Sequence, residues 1–148
     1  PRWTSQGAIA GNGNGIFDAA CGYNAPSAAP VATNECGLFW WHLRISGFVP
    51  GSVVSGVAAV LQPPNAVNGI IGVQTGGLGF SSNIVCSSNM PDKIAASVDT
   101  QMDDGTPGLG EVRANLQAVP NPVVSPALSN ASAYLETGQN QYVLCKNM

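Results

Sequence analysis

The chain predicts an α+β fold, with a small antiparallel sheet, two short helices and long disulfide-fastened loops in one domain over residues 1–148. Three observations carry this. Apolar residues recur at helical spacing over 34–47 and 91–104. Short β-branched runs are bounded by Gly, Asn and Ser. Four cysteines stand at wide spacing, with loop-like stretches between them. At 148 residues the chain has the size of a single domain and can bury a core.

Residues 1–37 read mostly as loop. The run Gly11-Asn12-Gly13-Asn14-Gly15 suits tight turns with positive φ. Asn12, Asn14 and Asp18 have a faint calcium-loop spacing, without the leading Asp or the closing Glu, so a plain turn is the expectation. Asn34 is a good N-cap, with Glu35 in the first turn, and Gly47 and Pro50 end the helix. Leu38, Trp41, Ile45 and Phe48 form its apolar stripe, widened by Phe39 and Leu43. Trp41 is expected in the core. Adjacent Trp40 points elsewhere, to a neighbouring loop or a subunit contact. His42 is expected at the surface or hydrogen-bonded, since no acidic or nucleophilic partner is near it in sequence.

Residues 51–68 read as a long, partly buried loop. Asn68–Thr75 reads as a strand, Gly76-Gly77 as a turn and Leu78–Ser87 as an antiparallel partner. A helix follows over 91–104. Pro91 suits its first turn and Asp92 its positive dipole end; Ile94, Val98 and Met102 make its apolar stripe. Gly105 is the expected left-handed terminator and Pro107 blocks continuation. Glu111–Ala118 and Gln139–Lys146 read as the remaining strands, separated by a loop with Pro120, Pro122 and Pro126. The Asn130-Ala131-Ser132 sequon reads as incidental.

Asp103 and Asp104 oppose the helix dipole, at roughly 0.3–1 kcal/mol each when exposed. Compensation could come from Arg113, Lys93, a backbone N–H of the 105–110 turn, or a bound cation. Oxygen ligands would select calcium. The plain alternative is that both carboxylates cap the turn and face solvent.

Only 9% of residues are charged and the net charge is −3, with five Lys and Arg. That argues against a nucleic-acid surface. Small polar residues in place of charges fit an exported protein or one packed in an assembly. Cys21, Cys36, Cys86 and Cys145 allow three pairings; Cys21–Cys36 and Cys86–Cys145 are favoured, against free buried thiols. No stretch reaches 18 apolar residues, and no phosphate loop, dinucleotide fingerprint, GxSxG or HExxH is present. The expectation is therefore no enzyme and no cofactor beyond calcium.

Two blocks resemble type IV pilin-like proteins. Residues 11–49, GNGNGIFDAACGYNAPSAAPVATNECGLFWWHLRISGFV, resemble a glycine-asparagine turn followed by a Trp-x-x-Leu helix with a Gly-Phe end. Residues 84–114, IVCSSNMPDKIAASVDTQMDDGTPGLGEVRA, resemble a strand, a helix with an Asp-Asp-Gly run and a Val-Arg-Ala strand. The resemblance implies a pilin-like head, exported through the periplasm and exposed on an extracellular pilus or secretion pseudopilus. The hydrophobic filament-core helix of such proteins is not among these residues. The resemblance thus implies a core helix removed or supplied by a short separate chain, a homo-oligomeric filament, and membrane contact only through that helix. It also implies a structural clasp of Asp99, Asp103, Asp104 and Arg113.

Trp3, Trp40 and Phe80 are the candidates for the helix-docking or subunit interface. A different reading is an exported calcium- or carbohydrate-binding module, with Trp40 and Tyr23 stacking on a sugar and Asp103 and Asp104 holding calcium. A third is an unrecognised enzyme, which would need His42 beside a carboxylate in a cleft.

Overall fold

The computed structural model describes residues 7–18, 21–25, 30, 33–128 and 131–148. Their elements are α1 (Glu35–Ile45), α2 (Val57–Val60), β1 (Ile71–Gly77), β2 (Phe80–Pro91), α3 (Asp92–Met102), β3 (Val112–Leu116) and β4 (Gln141–Asn147). The fold is α+β: the strands form one antiparallel sheet in the order β1-β2-β4-β3. Among the described residues no helix is long and apolar enough to cross a membrane.

The register assigns each face its cover. Ile71, Val73, Val85, Val112, Ala114 and Leu144 share one face. There α1 packs Cys36 and Trp40 on Val73, while α3 packs Ala95 on Val112 and Ala114. The other face carries Ile84, Cys86, Val143 and Cys145 and is covered by loops through Tyr23 and Val124. Gly72 permits the close approach of the Tyr23 loop, since a side chain there would run into the Tyr23 carbonyl. Gln74 secures the same loop by accepting the Tyr23 N–H at 2.9 Å.

Asn34 caps α1, its side chain accepting the Gly37 N–H at 3.1 Å. Trp41 is fully buried, as its spacing predicts. Trp40 is buried too, which corrects the expectation of a contact outside the core. The reason is that α1 is covered on two sides: the sheet takes Cys36 and Trp40, and α2 takes Leu38 and Trp41. Phe48 leaves the expected stripe, because Gly47 turns the chain at φ 81° and leaves that ring 80% exposed.

Three further expectations change. A single helical turn, α2, interrupts the predicted 51–68 loop. The β1–β2 turn falls at Leu78-Gly79 instead of Gly76-Gly77. Leu78 takes φ 48° there, which is unfavourable for a branched side chain, but it is fully buried and its N–H reaches the Ser125 carbonyl at 2.8 Å. Finally, α3 buries Asp92, Ala95 and Asp99 and leaves Ile94 and Met102 exposed. Small Ala95 lets the helix approach the sheet, and the buried carboxylates bind backbone N–H groups.

Candidate functional site

The acidic end of α3 is built from one buried and two more accessible carboxylates. Asp99, Asp103 and Asp104 each place an oxygen within 4.8 Å of the others. Asp99 is fully buried and accepts the Tyr134 hydroxyl at 2.7 Å and the Gly105 N–H at 3.2 Å. Asp103 accepts the Glu111 and Val112 N–H groups, the latter at 2.9 Å. Asp104 accepts the Thr106 N–H at 2.8 Å. Backbone N–H groups thus offset the charges that oppose the dipole.

Arg113 takes another direction. Its Nε donates to the Gly110 carbonyl and one Nη to the Leu78 carbonyl, each at 3.0 Å. The guanidinium lies 4.0 Å over the Phe80 ring. Phe80 is therefore covered on one face and half-buried, which removes it as an open docking surface. Trp40 is removed by burial, and Trp3 lies outside the described residues.

Burial raises the pKa of Asp99, aided by Asp104 and Asp103, against the lowering effect of its hydrogen bonds. Burial also raises that of Tyr134, with the adjacent Asp99 adding to it. These groups could offer a cation three carboxylate oxygens, with calcium the hard-ligand choice. All three carboxylates also accept backbone N–H groups of the 103–112 turn. The arrangement works as a clasp of the backbone.

A second feature is an open groove of about 370 Å³ beside the glycine-asparagine loop, lined by Phe17, Phe39, Glu35 and His42 among others. Asn12 and Asn14 make successive turns there, their side-chain oxygens accepting the Asn14 and Ile16 N–H groups. Glu35 accepts the Asn12 N–H at 2.7 Å, and His42 Nε2 lies 2.9 Å from the Ile9 carbonyl. Glu35 and His42 are seven residues apart on one helix, roughly 10 Å along its axis. Both side chains line the groove. Tyr23, the proposed sugar platform, is fully buried, with burial pushing its pKa up to about 12.

The third feature went unrecognised in the sequence. Phe48, Val53, Val54, Val57 and Leu61 are all exposed and lie within fourteen residues around α2. Arg44 holds this segment. Its buried guanidinium donates to the carbonyls of Ala59 at 2.7 Å, Leu61 at 2.8 Å and Pro50 at 3.3 Å. The sequence signal was the Val53-Val54 pair close after Phe48, in a stretch otherwise read as loop.

The cysteines divide. Cys86 and Cys145 are directly paired across β2 and β4 and are disulfide-bonded. Cys21 and Cys36 are buried neighbours but free thiols, so the second expected disulfide is not formed here. Asn130 of the sequon lies outside the described residues. Comparison with family models, curated proteins and solved structures finds no match to this chain.

Proposed function

We propose that this chain is the surface-exposed head of a type IV pilus or pseudopilus subunit, with the hydrophobic core helix supplied by a separate chain or by a segment outside these residues. The observation that carries the reading is the exposure of five apolar side chains within one segment, Phe48, Val53, Val54, Val57 and Leu61. Large apolar side chains left exposed in one segment are candidates for an interaction surface. Arg44 fixes the segment through three carbonyls, so these side chains stand on a hydrogen-bonded backbone. In an assembly its partners would be a neighbouring head or the core helix. The two pilin-like blocks support the same reading, since one forms the loop and α1 and the other forms β2, α3 and β3.

The reading places the protein at the extracellular surface. The test is electron microscopy of sheared surface material from the native organism, labelled with antibody to this domain. Label along thin filaments is the expected result for a major subunit, and label at filament tips for a minor one. Soluble protein without filament association would overturn the reading.

A further inference from the structure

The buried pair Cys21 and Cys36 has no part in the filament reading. Cys36 sits in the first turn of α1, and its N–H donates to the Cys21 sulfur at 2.9 Å. The Cys36 thiol donates to the Val73 carbonyl on β1 at 3.1 Å, and the Cys21 thiol reaches the Asn34 side-chain oxygen at 3.9 Å. An amide at a helix start carries partial positive charge and favours a thiolate beside it. The hydrogen bond from Cys36 lowers the Cys21 pKa, despite burial and the nearby carboxylates of Asp18 and Glu35. The Cys21 sulfur beside it, with burial, raises that of Cys36. The Cys36 amide thus faces the Cys21 sulfur, with the Cys36 side chain beside it.

We propose that Cys21 and Cys36 are an oxidisable dithiol that closes to a second disulfide by exchange with a disulfide-bearing oxidant. The Cys21 thiolate attacks one oxidant sulfur, and the other leaves as a thiolate. Cys36 then loses its proton to solvent and attacks the Cys21 sulfur of the mixed disulfide, expelling the remaining oxidant sulfur. The protein thiols give up two electrons and two protons, and the oxidant ends as two thiols. The new bond joins residues 15 apart in sequence and turns a hydrogen-bonded anchor of the N-terminal loop on α1 into a covalent one.

The test is oxidised glutathione on the purified full chain, followed by non-reducing peptide mapping with mass spectrometry. The expected result is a peptide linked through Cys21 and Cys36, no free thiol at either position, and Cys86–Cys145 retained. Thermal unfolding should rise by roughly 5–10 °C for a loop of this length. Cys36→Ala should stop at a glutathione adduct on Cys21, whereas Cys21→Ala should leave Cys36 unmodified. Two thiols still alkylated after denaturation, or crosslinks to Cys86 or Cys145, would overturn the proposal. If the variants fail to fold, the mapping of the unsubstituted chain decides alone. None of these outcomes depends on whether the chain assembles into filaments.

Discussion

Tyr134 donates its phenolic hydrogen to Asp99 at 2.7 Å, across 35 residues of sequence, and this bond ties the 131–140 segment to the acidic end of α3. Tyr134 also meets Tyr142 edge-on at 5.0 Å, so the hydroxyl is held in place by a ring already packed. Tyr134→Phe keeps the ring and removes the donor. It should cost roughly 1.5–3 kcal/mol, the range for a hydrogen bond to a charged group, read as a lower urea midpoint at unchanged slope.

The buried carboxylates of α3 should respond to pH with opposite signs. Asp99 binds its proton more tightly folded than unfolded, so its contribution falls as pH rises from its ordinary 3.8 through the raised folded value. For Asp92, burial pushes the pKa up, but the N–H groups of Gly138 and Lys93 outweigh it and the net shift is downward. Its contribution is present above the unfolded value and lost as pH falls through the folded one. Urea unfolding across this range should show Asp99→Asn gaining on the unsubstituted chain as pH rises. Asp92→Asn should lose ground over the same rise. A parallel response of the two variants would contradict the assignment.

Arg44→Met keeps the buried stem and strips three backbone carbonyls of their donor. Stability should fall by about 1–3 kcal/mol. Limited proteolysis should then cut near Val53-Val54 faster than in the unsubstituted chain.

Val54→Asp combined with Phe48→Ser changes two side chains that are 75% and 80% exposed. Folding stability should move by no more than about 0.5 kcal/mol, as for ordinary surface changes. Incorporation into filaments, scored by immunolabelling, should be lost. Normal incorporation of this folded variant would remove the 48–61 segment as an assembly surface.

Cys145→Ser opens the disulfide that joins β2 to β4 over a sequence separation of 59. The loss should be about 2–5 kcal/mol, measured as a fall in thermal midpoint against the oxidised chain.

The starts and stops of α1 and α3 were legible in the sequence because they rest on chemistry within a few residues. Asn34 bonds an amide three positions on, and Gly105 takes φ 74° just beyond α3. Strand existence was legible for the same reason, through β-branched runs and their breakers. The Cys86–Cys145 pairing was favoured there and is formed across adjacent strands.

The burial of each face was decided by tertiary packing. Periodicity assigns one apolar stripe to α1, but sheet and α2 cover it from two sides, so Trp40 is interior and Phe48 is not. Periodicity assigns Ile94, Val98 and Met102 to the buried side of α3; Val98 does pack on the core, but Ile94 and Met102 are exposed while Asp92, Ala95 and Asp99 face inward. Their partners, Gly138 and Tyr134, lie 46 and 35 residues away. A carboxylate is costly to bury until such donors arrive, and only the folded chain brings them within hydrogen-bond distance.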